Sequence, residues 1–166
     1  MTISTLKDLY IDQLQDLYSA NRQSLKVTRE LKEAAHSDEL RKALDAGVSG
    51  IEQGMEQIKS LIEDHDANPR GEHCKGMEGL VAEARAHGIE ADIKDEDVRD
   101  ASIIAQYQRM THYGISGYGT ACAFANRLGL DNDTRVLTKC LEDTRGGDKH
   151  MTAIASGEVN RAAAEA

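Results

Sequence analysis

Residues 5–35 read TLKDLYIDQLQDLYSANRQSLKVTRELKEAA, and this stretch already indicates the fold of the chain. Apolar or small residues recur at the three-and-four spacing of one helical face. They are Leu6, Tyr10, Leu14, Leu17, Leu25, Thr28, Leu31 and Ala35. Ser4 stands before the stretch as a helix cap. We therefore predict a first long helix over about residues 5–35.

The same spacing predicts three further long helices. Their ranges are about 38–65, 96–128 and 132–156. Short polar residues before each range are predicted to cap it. These are Ser37 or Asp38, then Asp95 or Asp97, then Asp131 or Asp133. We expect the first two helices to be antiparallel because their link is short, and residues 160–166 to fray.

The helical period lapses over residues 66–94, which we predict to be a crossover connection. The run Asn68-Pro69-Arg70-Gly71 has the chemistry of a turn, and only residues 77–87, ended by Gly88, have the pattern of a short helix. Two tightly joined helices, one long crossover and two more tightly joined helices are typical of a ferritin-like four-helix bundle. Residues 1–166 are thus predicted to form a single all-α domain.

Composition excludes several other classes. Aromatic residues make up 4% of the chain and Pro69 is its one proline, which disfavours β-sandwiches and barrels. A formal charge of −9, without long basic runs, argues against nucleic acid as a partner. Long apolar runs are absent and Lys7 and Asp8 interrupt the amino terminus, so we expect a cytoplasmic protein that does not bind membranes. Three cysteines without CxxC spacing argue against a disulfide framework.

The middle of each apolar stripe is where a ferritin-like protein would carry metal ligands. Di-iron or di-manganese centres need inward carboxylates, since these metals prefer oxygen ligands. The residues at these midpoints are Asn21 on the first helix, Gly47, Gly50 and Gly54 on the second, Gly114 on the third, and Thr144 and Asp148 on the fourth. Only one of them is a carboxylate.

Four tracts, spread over nearly the whole chain, carry a resemblance to a known family. They are Tyr18-Ser19-Ala20 with Gln23, Cys74 followed by Met77-Glu78-Gly79-Leu80, His112-Tyr113 with Ile115 and Tyr118-Gly119, and Asp148 with Met151-Thr152. Together they resemble the YciF/YciE-type family of bacterial ferritin-like proteins, which is associated with stress responses. The resemblance implies a four-helix bundle, a di-metal-type centre and pairing of bundles into a homodimer.

The chain departs from that family at each carboxylate ligand that the resemblance implies. The family's glutamate on the first helix is replaced by Asn21, and its His-Leu-Glu-Glu-Thr-x-x-Gln tract aligns with residues 47–54, with glycine at the first, fourth and eighth positions. On the third and fourth helices, Gly114 and Thr144 stand at the glutamate positions. Either the metal site has been lost or other ligands have replaced it.

The remaining candidate residues have simpler interpretations. A lone Asp148 cannot hold two metal ions, and we expect it to bond Asn21, Thr144 or a tyrosine. His112 is expected to bond a neighbouring carbonyl or carboxylate. The group His65, His73 and Cys74 matches no structural zinc motif and is predicted to lie on an exposed crossover. Cys122 and Cys140 have no neighbouring base, so no catalytic residue is assigned.

Three functions remain open from the sequence. The first is a non-catalytic protein without cofactor, whose metal centre has degenerated and whose role is structural or interaction-based. The second is an iron or manganese oxidoreductase or storage protein with relocated ligands. The third is a module that binds a small molecule at the bundle centre. We expect the helices to approach closely through their glycines; the other outcome is a cavity lined by Tyr18, Asn21, Thr144 and Asp148.

Overall fold

The computed structural model describes residues 3–166, which form a four-helix bundle. Its helices are α1 (Leu6–Ala34), α2 (Asp38–Asp64), α3 (Lys75–Arg85), α4 (Glu96–Arg127), α5 (Asp131–Ile154) and α6 (Asn160–Glu165). Short π-helical segments follow α3 and α5, at Ala86–Glu90 and Ala155–Val159. The predicted all-α, ferritin-like bundle, with a short helix in its crossover, is confirmed.

The long helices associate as two hairpins. α1 packs along α2 and α4 packs along α5, while contacts of α1 with α4 and of α2 with α5 join the two hairpins. α3 lies in the crossover and packs on α1 and α4. Among residues 3–166, no helix is both long and apolar enough to cross a membrane.

α1 begins with a capping box, and the predicted cap Ser4 is wrong by one residue. The Thr5 hydroxyl accepts a hydrogen bond from the Asp8 amide (3.1 Å), and the Asp8 carboxylate accepts from the amides of Ser4 (3.0 Å) and Thr5 (2.9 Å). These bonds lower the pKa of Asp8. The acid three residues after the hydroxyl is the feature that selects Thr5.

The cap predictions for the other long helices are confirmed for α2 and α4 and wrong for α5. Ser37 and Asp95 cap α2 and α4 as predicted. At α5 the prediction is wrong, because Leu130 occupies the cap position without a side-chain hydrogen bond, and Asp131 and Asp133 lie within the first turn. The Asp133 carboxylate instead contacts Tyr10 of α1 and His65, which directly follows α2.

The predicted fraying of residues 160–166 is also wrong. α5 continues through its π-helical segment into α6, which packs on α4. α6 itself has no buried residue, but it continues the helix directly from the buried Ile154, Ala155 and Val159. Burial of those preceding residues removes apolar surface from water and anchors the helix from which α6 extends.

The turn between α1 and α2 is fixed by a buried carboxylate of α4. Asp100 is fully buried, and its two oxygens accept hydrogen bonds from the amides of His36 (2.8 Å) and Ser37 (2.7 Å). These amides precede the start of α2, where backbone donors lack helical acceptors. The contact ties the first hairpin to α4.

Apolar side chains form two separate clusters, one toward each end of the bundle. The first cluster contains, among others, Leu31, Leu44, Ile103, Met110 and Met151. The second contains, among others, Tyr10, Leu14, Ile62, Tyr118 and Leu137. Each long helix contributes to both clusters. On α2, α4 and α5, the midpoints identified from the sequence lie between the two contributions, and on α1 Asn21 directly follows Ala20, the first residue of that helix in the first cluster.

Candidate functional site

A cavity of about 590 Å³ lies between the two apolar clusters. α1 and α4 supply its deep side, α2 and α5 supply its walls, and α3 adds one side chain. Its lining includes Asn21, Ser24 and Thr28 of α1, Gly47, Gly50 and Gly54 of α2, Met77 of α3, Tyr107, Met110, Gly114 and Tyr118 of α4, and Cys140, Thr144 and Met151 of α5. We call this cavity the central cleft. Its volume is in the range of small-molecule sites in proteins.

Two glycines of the central cleft face open space. A Cβ built on Gly50 meets no heavy atom within 4 Å, and one built on Gly114 meets only Tyr118 Cε2 at 3.9 Å and Thr144 Cγ2 at 4.0 Å. Gly50 is exposed, so the cleft opens to solvent between α2 and α5. The predicted close approach of the helices is therefore wrong at these two positions.

Two other glycines are covered by tyrosine hydroxyls rather than by a neighbouring backbone. A Cβ on Gly47 would collide with the Tyr107 hydroxyl, and a Cβ on Gly54 would lie 2.7 Å from the Tyr118 hydroxyl. Both tyrosines come from α4 and are more than nine-tenths buried. The glycines of α2 thus provide the space into which two phenol groups project.

The hydroxyls of Tyr107 and Tyr118 both retain a hydrogen to donate. Tyr118 accepts a hydrogen bond from Asn21 Nδ2 (2.7 Å). Within residues 3–166 the Tyr118 phenol hydrogen has no acceptor, and the Thr111 side chain lies beside the Tyr107 phenol and lowers its pKa, against the larger effect of burial. Burial raises the pKa of both phenols, so they remain neutral.

Cys140 and Thr144 line the α5 side of the cleft and are bonded locally. The Cys140 thiol donates to Gln57 Oε1 (2.9 Å), and the Thr144 hydroxyl donates to the Cys140 carbonyl (2.7 Å). Burial, with a smaller contribution from Asp143, raises the pKa of Cys140 to about 11. The sulfur is therefore a neutral thiol near pH 7, which makes it a weak nucleophile and a weak metal ligand.

Six of the nine sequence-predicted site residues come together in the central cleft. They are Asn21, Gly47, Gly50, Gly54, Gly114 and Thr144. Tyr18 is instead buried in the second apolar cluster. Tyr107 also lines the cleft but is not among the nine predicted residues, although a tyrosine on the helix face that meets a row of glycines is a usable sequence signal.

Asp148 and His112 lie outside the central cleft, on the seam between α4 and α5. His112 Nε2 is 3.0 Å from Asp148 Oδ2, and Gln108 Nε2 donates to Asp148 Oδ1 (3.0 Å). The His112 side chain is 63% exposed. The expected bonds from Asp148 to Asn21, Thr144 or a tyrosine are not formed, because the Asp148 side chain, which is 18% exposed, is turned toward α4.

The donor atoms of the central cleft do not fit a pair of metal ions. Its carboxylate, Asp143, is 2.7 Å from Lys139 Nζ and is mostly exposed on the rim. Across residues 3–166, no group of three or more His, Cys, Asp or Glu side chains is arranged to hold a metal. Iron and manganese centres of this fold require several converging carboxylates, and here glycine, amide and hydroxyl groups stand in their place.

The predicted exposure of the crossover is wrong for His65 and Cys74, which lie in two buried polar clusters outside the cleft. At the start of α5, Asp133 accepts a hydrogen bond from Tyr10 (2.8 Å) and lies 2.7 Å from His65 Nε2. Cys74 caps α3 and is 1% exposed, and its sulfur lies 2.9 Å from the Tyr113 hydroxyl. Burial raises the pKa of the Cys74 thiol.

His73 is the only one of the three predicted crossover residues with an exposed side chain. It bonds Glu78 at 2.9 Å. His65 and Cys74 are instead buried, in two separate clusters that lie at different positions along α1. The three residues therefore do not form a group.

Comparison with known proteins gives three concordant matches. Residues 5–164 match the family DUF892, a domain of unknown function. Protein YciF of Escherichia coli (strain K12) is 33% identical over 164 residues, covering 98% of both chains. The crystal structure of the E. coli stress protein YciF superposes with a TM-score of 0.89 at 31% identity, over 95% of this chain and 99% of that one.

A second solved structure is similar at the same level of identity. It is YcfI from Rhodopseudomonas palustris, described as "a putative structural protein", with a TM-score of 0.84 and 31% identity over 90% of this chain and 94% of that one. The matches cover nearly all of the bundle, including every helix that lines the central cleft. The chain belongs to the DUF892 family, and its resemblance to YciF is confirmed.

Proposed function

We propose that this chain is a non-catalytic binding module whose central cleft takes up a small molecule in place of a pair of metal ions. One observation carries the proposal: the four positions at which the family resemblance implies carboxylates surround an open cleft of about 590 Å³. Glycine at two of these positions leaves room that a side chain would occupy. A bound molecule would fill that room.

Energetics support a ligand for the cleft. Each glycine inside a helix costs about 1 kcal/mol relative to alanine. Gly50 and Gly114 bear this cost without any compensating contact, since no neighbour closes on them. A molecule in the cleft would recover contacts that the chain alone does not make.

The competing function is an iron or manganese protein with relocated ligands. We expect fewer than two metal ions per chain when the protein is produced with added iron and manganese, purified without chelator and measured by elemental analysis. A variant with glutamate at Asn21, Gly50, Gly114 and Thr144 serves as the matched control, because it restores the implied ligands. Two tightly held ions in the unmodified chain would overturn the proposal.

Binding itself is testable without knowing the ligand. Native mass spectrometry of the purified chain is expected to show a small-molecule adduct, and Gly114→Leu is expected to lose it because the new side chain fills the cleft. Gly119→Leu is the control, since Gly119 also has open space around it on α4 but does not line the cleft. An adduct that survives Gly114→Leu and is lost in Gly119→Leu would place the binding elsewhere.

We also propose that the chain acts in the cytoplasm as a homodimer with a role in stress. The stress role is supported by the name of the E. coli relative, and the dimer by the resemblance to its family. Light scattering should give the dimer mass at micromolar concentration, and a constant monomer mass would contradict it.

A structural role is the second candidate function, favoured by the description of the R. palustris protein. If the role is purely structural, a variant with a filled cleft should complement a deletion strain as well as the unmodified chain does.

A further inference from the structure

We infer that the central cleft takes an uncharged molecule with a hydrogen-bond-accepting oxygen, such as a carbonyl, on an apolar ring or chain. This inference rests on the proposed binding function and adds the chemical class of the ligand. It combines two buried phenol donors, a wall of methionines and a rim that carries all the charge.

The donors are the hydroxyls of Tyr107 and Tyr118. Both side chains are more than nine-tenths buried and line the cleft. Among residues 3–166 no fully buried side-chain oxygen or nitrogen lacks a hydrogen-bond partner, so the Tyr107 hydroxyl is open to the cleft, where a ligand oxygen would replace water as its acceptor. The Asn21 side chain holds Tyr118 in place by donating to its oxygen, which leaves the phenol hydrogen for the ligand.

The spacing of the donors suits a compact molecule. Their hydroxyls lie beside Gly47 and Gly54, which are seven residues apart on α2. At 1.5 Å per residue this separation is roughly 10 Å along the helix. A ring-sized molecule between the two tyrosines is therefore within reach of a phenol hydrogen at either end of the cleft.

The apolar wall consists of three methionines. Met77, Met110 and Met151 come from three different helices, all line the cleft, and none is more than 4% exposed. Methionine side chains are flexible and polarizable, and they adapt to apolar or aromatic surfaces of different shape. This end of the cleft thus favours the hydrocarbon part of a ligand.

Charge is confined to the rim. Lys139 and Asp143 line the mouth, pair with each other at 2.7 Å and are about two-thirds exposed. The deeper lining offers hydroxyl, amide and thiol groups but no charged partner. An ionised ligand would lose its hydration there without compensation, so the cleft selects against ions.

The test uses acetophenone as a neutral ketone, ethylbenzene as its hydrocarbon counterpart and 4-acetylbenzoate as its anionic counterpart. The chain has five methionines, so their ¹³C-labelled methyl groups report binding by NMR. We expect acetophenone to shift the signals of Met77, Met110 and Met151. Met55, which does not line the cleft, is the internal control.

Phenylalanine variants then separate the hydrogen bonds from the apolar contact. Tyr107→Phe or Tyr118→Phe is expected to weaken acetophenone binding about threefold to tenfold, which is the effect of one hydrogen bond. The same variants should leave the affinity for ethylbenzene within about twofold, because ethylbenzene accepts no hydrogen bond. We expect 4-acetylbenzoate to bind at least about tenfold more weakly than acetophenone.

The outcomes distinguish the inference from the function on which it rests. If neither acetophenone nor ethylbenzene shifts the three methionines at millimolar concentration, the binding function fails and the inference fails with it. If both bind and both phenylalanine variants leave acetophenone unaffected, or if 4-acetylbenzoate binds best, the cleft is a binding site and the inferred chemistry is wrong. Gly114→Leu should abolish the shifts, while Gly119→Leu should retain them.

Discussion

Replacing cleft glycines by alanine should stabilise the chain, although the glycines lie at the centre of the bundle. Gly50→Ala adds a methyl group where no atom lies within 4 Å, so only the helix propensity changes. Alanine is favoured over glycine by about 1 kcal/mol in a helix interior, and a chain of this size gains about 2–4 °C in Tm per kcal/mol. Gly114→Ala should give a similar gain, since its nearest neighbours are at 3.9 and 4.0 Å.

Gly117→Ala provides the contrasting case on the same helix. A Cβ at Gly117 would lie 2.6 Å from Leu17 Cδ2, and Leu17 is only 1% exposed, so its side chain would have to shift within the packed second cluster. Overpacking of a dense core costs about 1–3 kcal/mol, which exceeds the gain in helix propensity. Gly119→Ala is the control for propensity alone, because its Cβ also meets nothing within 4 Å.

Urea unfolding followed by circular dichroism at 222 nm measures these differences. All variants are compared at one protein concentration, because association would shift the apparent stability. The slope of the unfolding free energy against urea should stay the same, so that midpoints report stability directly. If Gly50→Ala and Gly114→Ala destabilise the chain while Gly119→Ala stabilises it, the helices are closer together than described and the open cleft is refuted.

Three further predictions concern polar groups outside the glycine row, and urea unfolding measures each. Asp100→Ala should lower the unfolding free energy by about 3 kcal/mol, because two backbone amides lose a charged acceptor; a loss under 1 kcal/mol would contradict the role of Asp100 in the turn. Tyr10→Phe should cost about 1–2 kcal/mol through the lost bond to Asp133, and an unchanged midpoint would show that the bond contributes nothing. The pKa of Cys140 is about 11 in the folded chain against an ordinary 9.0, so the folded state keeps this proton longer and stability should fall as pH rises from 9 to 11. Cys140→Ala should make that fall shallower, and an identical pH profile would be the contrary result.

The helices and their order were predictable because burial repeats along the sequence with a helical period. The crossover was predictable because Pro69 and its turn residues interrupt that period. Local signals were reliable where the partners are close in sequence, as for the Ser37 cap, and failed where a distant partner intervenes. Asp133 has the chemistry of a cap, yet its carboxylate bonds Tyr10, which is 123 residues away.

The site was predictable as a set of positions but not as a shape. Periodicity assigns a residue to a helical face only to within about one residue's rotation of 100°. Thr144 and Asp148 share a face by that measure, but Thr144 lines the cleft and Asp148 lies on the seam with α4. Whether glycines bring helices together depends on which side chains stand opposite, and the two tyrosines of α4 that occupy this space cannot be located from α2 alone.

The open mouth between α2 and α5 has a consequence for the rate of exchange. Because Gly50 and the rim residues are already exposed, a molecule can reach the tyrosines without movement of the backbone. Entry would then need no conformational step, so differences in affinity among ligands would arise mainly from how fast they leave. For a weakly held ligand, the occupied fraction of the cleft would follow the surrounding concentration. A ligand that survives purification as an adduct would have to leave the cleft far more slowly.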